Sequence, residues 1–310
     1  MKVIDQDITE KYAIYHGDSC EVLQGIPENT IHFVIYSPPF SSLYTYSNSE
    51  RDLGNCSNND EFFEQFKFIS KELYRVLMPG RLMSVHCMDI PLMKERDGYI
   101  GLSDFPGDLI RLFQEMGFIY HSRVVIWKDP LIEATRTKAI GLMHKQIVKD
   151  SAMCRNGLPD YLITFRKPGN NLEPIAHPEG FTEFYGQGNI HGKKDDPVYS
   201  HHVWRRYASP VWMDIKQTDT LQYRSARDEK DERHICPLQL GVIRRAIELW
   251  TNENDVVLSP FGGIGSEPVV ALEMNRRAIA VELKESYYKQ MKANCAEAVK
   301  IKNADLFAEE

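Results

Sequence analysis

The chain has 310 residues, 43% hydrophobic and 26% charged, with a formal net charge of −7. That length suits one large domain with an appendage, or two domains, and no apolar run approaches the roughly 18 residues of a membrane span. The six cysteines form no C-x-x-C pair and suggest neither a metal site nor a disulfide framework, and segment 1–10 has no signal-peptide core, so a reducing cytoplasm is the expected location.

Residues 12–15 read as a strand, 20–23 as the start of a helix, and 32–36 as a buried strand ending at Ser37-Pro38-Pro39-Phe40. A long, tyrosine-bearing polar loop follows, of the kind that is usually functional or mobile. Phe62, Phe63, Phe66, Ile69, Leu73, Val76 and Leu77 recur at helical spacing, so 60–77 is a predicted helix capped by Asp60 and stopped by Pro79-Gly80. Segment 81–87 is a strand, 102–116 contains a helix ended at Gly117, and 118–127 and 160–166 are strands. From 168 to 227 glycine, proline, histidine and charged residues dominate, and the stretch reads as a weakly patterned insertion or small subdomain. Regular alternation then returns: helix 237–250, strand 255–258, helix 267–275, strand 278–282 and helix 286–299. Strands alternating with helices predict an α/β protein with a mostly parallel, doubly wound sheet.

Two motifs carry chemistry. In the first, Val256-Val257-Leu258-Ser259-Pro260-Phe261-Gly262-Gly263-Ile264-Gly265-Ser266, a buried strand runs through a glycine-rich turn into a helix. Glycines let a ligand approach the backbone, and a helix N-terminus offers unpaired N–H groups. Glu282, 19 residues after Gly263, ends the next strand, where an acidic side chain can bind ribose hydroxyls. A nicotinamide fingerprint fails because Pro268 stands where its third glycine belongs, and no Gly-Lys-Ser/Thr supports a P-loop. A tight strand–helix turn without ligand is the plain alternative. The second motif, Ser37-Pro38-Pro39-Phe40, is a rigid turn at the carboxyl edge of a strand, where α/β proteins bind ligands. It offers an acceptor hydroxyl, a proline carbonyl and an aromatic ring, which suits a planar base with an amino group. A proline-punctuated loop is its plain alternative.

Together the motifs resemble the DNA amino-methyltransferases, the N6-adenine and N4-cytosine enzymes. Their catalytic motif is Asp, Asn or Ser followed by Pro-Pro and an aromatic, and their cofactor motif is Asp-Pro-Phe-x-Gly-x-Gly. The catalytic motif comes first here, as in the permuted β class. The resemblance covers about 12–166 and 234–299 and leaves 168–227 where the family's target-recognition region lies. It implies a Rossmann-like S-adenosylmethionine-dependent methyltransferase fold, in which 1–167 and 228–310 are the catalytic and cofactor-binding halves of one core. It also implies S-adenosylmethionine as cofactor and double-stranded DNA as partner, allows a homodimer, and involves no metal and no membrane. Ser259 departs from the family's Asp. Ser37 leans towards N4-cytosine, whereas Tyr44-Thr45-Tyr46 and the residues up to Asn55, with His144-Lys145-Gln146 and the stretch from Gly157 to Tyr161, are similar to low-specificity adenine methyltransferases of Mu-like prophages. N6-adenine is favoured on that longer match. N4-cytosine, an RNA or protein-glutamine methyltransferase, and a catalytically silent nucleic-acid-binding module are the alternatives.

The implied roles follow residue by residue. Ser37 and the Pro38 carbonyl accept the amino hydrogens of a flipped base, Pro39 stiffens the turn, and Phe40 stacks on the base. Ser259, Phe261, Gly263, Gly265, Ser266 and Glu282 form the cofactor site, with Asp18 either contacting cofactor or capping the 19–23 helix. Residues 121–206 hold 13 Lys/Arg against 9 Asp/Glu. Lys193, Lys194, Arg205 and Arg206, with Arg136, Lys138, Lys145 and Lys149, are therefore the candidate phosphate contacts. The interleaved Tyr199, Trp204, Tyr207 and Trp212 are candidate stacking residues, and Tyr44 and Tyr46 are expected to close over the flipped base.

Overall fold

A computed structural model describes residues 2–39, 59–137, 141–194, 196–222 and 238–308. The first half of the chain supplies β1 (Asp5–Ile8), β2 (Tyr12–His16), α1 (Ser19–Leu23), β3 (Ile31–Tyr36), α2 (Asn59–Val76) and β4 (Leu77–Cys87). A small hairpin of β5 (Ile90–Leu92) and β6 (Gly101–Ser103) follows, with α3 (Lys94–Asp97) between its strands. Then come α4 (Phe105–Glu115), β7 (Ile119–Ile126), α5 (Pro130–Thr137), α6 (His144–Ile147) and β8 (Asp160–Arg166). The remainder forms α7 (Pro197–Tyr207), β9 (Val211–Trp212), α8 (Leu240–Trp250), β10 (Val256–Ser259), α9 (Ser266–Glu273), β11 (Arg277–Glu282) and α10 (Glu285–Ala308).

Nine strands make one sheet in the order β1-β2-β11-β10-β3-β4-β8-β7-β9. From β2 to β4 every neighbour is parallel, whereas β8 runs antiparallel to both β4 and β7. Both faces of the parallel part are covered, as such strands require. On one side Val242, Ile243, Ala246 and Ile247 of α8 pack with Val270 of α9 and Met291 of α10. On the other, Phe62, Phe66, Ile69 and Leu73 of α2 pack with Leu109 and Phe113 of α4. The i, i+3, i+4 spacing of those α2 side chains is what makes the segment a helix with one buried face. The fold is thus the α/β, mostly parallel architecture expected from the sequence. No helix among the described residues is long and apolar enough to cross a membrane.

Two expectations need correction. Pro79-Gly80 does not separate a helix from a strand beginning at Arg81, because β4 already starts at Leu77, opposite Ile31. The register to β3 shifts before the Phe33–Leu82 pair, and Gly80 sits there at φ +75°, which glycine adopts without strain. Nor is 168–227 poorly patterned throughout. Its α7 has Asp196 as N-cap and Pro197 in the first turn, and its β9 extends the main sheet beside β7. The helical period is faint in the sequence because α7 buries only Tyr199, Val203 and Tyr207.

A buried cation ties the start of this insertion to the sheet. Arg81 on β4, with no exposed surface, reaches Asp255 at 3.1 Å and Glu173 at 3.4 Å. His32 of β3 accepts the Val256 N–H through Nδ1 and lies 3.3 Å from Glu173. His32, Glu173 and Asp255 resemble a ligand triad, but the guanidinium already supplies their positive charge.

Candidate functional site

The sheet itself explains where a site forms. After β3 the chain proceeds to β4 on one side, and after β10 to β11 on the other, although β3 and β10 are hydrogen-bonded neighbours. Connections diverging from adjacent parallel strands leave a crevice at their carboxyl ends, where open α/β sheets bind ligands. The two sequence motifs meet at this point. Val257 pairs with Phe33 and Leu258 with Val34; three residues further on stand Phe261 and Ser37. The Phe261 ring lies 5.6 Å from that of Tyr36 and 6.2 Å from that of Phe66, with one side anchored in the core and the residue only half-buried.

The glycines of the loop do different jobs. A Cβ on Gly262 would lie 2.7 Å from Met291 Sδ, and one on Gly265 3.0 Å from Met291 Cγ, so these two permit close seating on α10. Gly265 also begins α9 at φ +97°, in the left-handed region. Gly263, at φ +52°, has nothing within 4 Å of a Cβ and faces open space. Glu282 fixes the loop from β11: its Oε2 accepts the Gly263 N–H at 2.7 Å and its Oε1 accepts the Lys284 N–H at 2.8 Å. A carboxylate at this position stands where an acidic side chain can meet ribose hydroxyls. Ser266 is buried at the head of α9, and the Ser259 hydroxyl is buried with no partner among the described residues. Asp18 caps α1 by accepting the Cys20 N–H at 2.8 Å, so the capping role is realised, and it remains half-exposed at the same sheet edge.

One carboxyl near this loop was not singled out from the sequence. Glu267, in the first turn of α9, is 5% exposed, and burial, with the nearby Glu282 charge adding, raises its pKa to about 8. Its folded-state value lies above the ordinary value of 4.5, so the folded protein holds a proton that the unfolded chain releases. Stability from this group is full below about 4.5 and falls as pH rises towards 8. Glu267→Gln is therefore expected to raise Tm at pH 8 and to leave it nearly unchanged at pH 4.5. Thermal unfolding across that range checks this, and equal shifts at both ends would contradict it.

Ser37 is half-buried, Pro38 is buried and Pro39 half-buried. The Ser37 hydroxyl lies 2.8 Å from Nδ1 of His86 on β4. His86, Asp160 at the start of β8, and Lys128 just beyond β7 form a continuous line behind it. No local pattern announced these three, since each stands alone in an apolar strand or its flank; a histidine within the buried run of β4 was the one hint. Phe40, Tyr44, Tyr46 and Lys138 lie outside the described residues.

The nominated DNA-contact residues fare unevenly. Lys145, Lys149, Lys193, Arg205 and Arg206 are exposed, and Arg136 lies within α5. Lys194 is exposed but paired with Glu183. The aromatic interleaving is corrected: Tyr199, Tyr207 and Trp212 are core residues, and only Trp204, 55% exposed, is free to stack on a ligand. Helical spacing put Tyr199, Val203 and Tyr207 on one inward face, which composition alone conceals.

Comparison with known proteins identifies the family and the fold. M.BglII, a type II methyltransferase of Bacillus subtilis, is 25% identical over 280 residues, which are 88% of this chain and 66% of that protein. The fold matches the putative DNA modification methylase TTHA0409 of Thermus thermophilus, whose structure is complexed with S-adenosyl-L-methionine. The TM-score is 0.63 at 20% identity, covering 93% of this chain and 96% of the other. It also matches the cytosine-N4-specific PvuII DNA methyltransferase, with TM-score 0.61, 18% identity, and coverage of 97% and 95%. The N6_N4_Mtase family model, described as DNA methylase, matches residues 31–293. That span includes both motifs and the strands that bring them together, and the chain belongs to this family of DNA amino-methyltransferases.

Proposed function

We propose that this protein methylates the exocyclic amino group of a DNA base flipped into the β3–β10 crevice, and that the base is adenine, read with little sequence specificity. The observation that carries this reading is the meeting of Ser37-Pro38-Pro39 and the 259–266 loop at the carboxyl ends of adjacent parallel strands. S-adenosylmethionine is the cofactor, and the residues present fit it. Among the described residues Gly263 leaves open space for a ligand over the backbone and Ser259 offers an unpartnered buried hydroxyl, and Glu282 holds the loop from the position where an acidic side chain meets ribose hydroxyls. When bound, it supplies an electrophilic methyl group. Phe261 and the loop backbone, with Ser266 and Asp18 at the margins, hold it, and Ser37 with the Pro38 carbonyl accepts the amino hydrogens. The amine lone pair is thereby freed from the ring and aimed, so the rate comes from positioning and placed acceptors.

Residues 168–227 form the DNA-binding insertion between the two halves of the core. Lys193, Arg205, Arg206 and Trp204 supply its phosphate and stacking contacts, assisted by Lys145 and Lys149. The preference for adenine rests on the resemblance of 44–55 and 144–146 to low-specificity prophage enzymes. A second reading, N4-cytosine, is favoured by Ser37 itself and by the fold shared with a cytosine-N4-specific enzyme. The test is mass spectrometry of nucleosides from unmethylated DNA incubated with protein and S-adenosylmethionine. N6-methyladenine in many sequence contexts is expected. N4-methylcytosine would overturn the choice of base and keep the chemistry, and no modified base would overturn the function.

A further inference from the structure

Every polar atom behind Ser37 can be given a proton count. Asp160 is buried at 2% exposure. Burial alone would raise its carboxyl, but Lys128 on one oxygen and His86 near the other outweigh that and hold it at about 2. It is therefore an acceptor at any working pH. His86 Nε2 lies 3.1 Å from Asp160 Oδ2, short of an aligned hydrogen bond, and has no other partner among the described residues. A full negative charge tolerates that misalignment better than a neutral acceptor would. The Nε2 atom thus carries the hydrogen in the neutral ring, and Nδ1 is bare. Only one arrangement then satisfies the 2.8 Å contact: the Ser37 O–H donates to Nδ1. With its hydrogen committed inward, the serine turns its lone pairs outward.

We propose that His86 is a positioning residue that makes Ser37 a pure acceptor towards the substrate and takes up, through Ser37, the proton released by methylation. This rests on the methyl-transfer reading above. As the amino nitrogen bonds to the methyl carbon, the S–C bond breaks and its electron pair stays on sulfur, leaving the nitrogen with one surplus proton. That proton passes to Ser37 Oγ while the Oγ–H proton passes to His86 Nδ1. The imidazolium charge then faces the Asp160 carboxylate and is later discharged to water. Lys128 keeps Asp160 anionic and in place.

The same geometry bears on selectivity. An acceptor-only hydroxyl rewards a group with hydrogens to give and repels a carbonyl oxygen. The inward-facing line therefore selects amino-bearing bases over thymine before any recognition of sequence. The charged groups at the ring are Asp160 from β8 and Lys128 beyond β7, and Ser37 faces it from β3. The adjacent Cys87 thiol on β4 is pushed well up by burial and stays neutral.

His86→Gln is expected to lower the single-turnover rate constant on DNA roughly 100-fold, the usual reach of a positioned proton acceptor. Its Kd for S-adenosylmethionine and for DNA should stay within about 2-fold, since the ring touches neither the glycine loop nor the surface cations. Nitrogen-15 NMR of the protein without cofactor or DNA gives an independent readout: His86 should carry its hydrogen on Nε2, and Asp160→Asn should shift that tautomer. A full-speed His86→Gln enzyme, or an Nδ1–H tautomer in the free protein, would overturn the proposal. If Ser37→Ala is slow while His86→Gln is fast, only the role of His86 fails. If both are fast, the reading of the site itself fails.

Discussion

Ser37→Ala is expected to lower kcat by roughly 100- to 1,000-fold while leaving the Kd for S-adenosylmethionine within about 3-fold. The asymmetry follows from where the hydroxyl stands. It faces His86 on β4, on the side of β3 away from β10 and the glycine loop, so deleting one oxygen leaves the loop and its Glu282 anchor intact. The amino nitrogen of a base is a poor nucleophile because its lone pair is spread into the ring, and an acceptor beside it acts most strongly in the transition state. A loss confined to that state appears in kcat rather than in ground-state affinity. Single-turnover kinetics with isothermal titration of cofactor checks both halves. Near-wild-type turnover would remove Ser37 from the chemistry, and a matching loss of cofactor affinity would show that the turn had collapsed.

Arg245→Ala is expected to cost roughly 3–5 kcal/mol of unfolding free energy, because it strands a buried carboxylate. Arg245 projects from α8 with no exposed surface. Its guanidinium lies 2.8 Å from Asp214, donates from Nε to the Tyr185 carbonyl at 2.7 Å, and stacks against Phe184, Tyr207 and Trp212 at 5.0 to 5.4 Å. A Cβ on Gly186 would fall 2.2 Å from its Nη2, so the insertion leaves room for this side chain at that point. The contacts join 184–214 to α8, so this segment and the sheet that α8 covers should melt as one unit. Denaturant titration followed by tryptophan fluorescence, to which the buried Trp212 contributes with the other three tryptophans, measures the loss. A cost below about 1 kcal/mol would mean that the apolar contacts hold the insertion without the charge.

What the sequence reveals depends on how far apart the partners are. The strands β2, β3, β10 and β11 were legible because each is a short apolar run bounded by turn residues, and both motifs sit where those runs end. The adjacency of β3 and β10 was not a local signal; it was implied only by resemblance, and the Val257–Phe33 register makes it physical. Strands β1 and β9 escaped notice because edge strands of two to four residues carry too few side chains to show a period. His86, Asp160 and Lys128 were invisible for a related reason. They lie on separate elements, and only the β4–β8–β7 pairing aligns them. The misread aromatics of 199–212 teach the converse. Residue type suggested a stacking surface, whereas the fold sends three of the four rings inward.

The strand order also constrains how the molecule is made. As the chain leaves the ribosome, β2 and β3 appear before β4 to β9, yet the strands that lie between them, β10 and β11, appear only after those. Until then β3 has an open edge on its β10 side, and the apolar residues that later meet α8 and α9 have nothing to cover them. Such pairings close long loops and form late. The nascent protein therefore carries an unfinished, sticky sheet from the making of β3 until that of β10, and the crevice that brings the two motifs together comes into being only then.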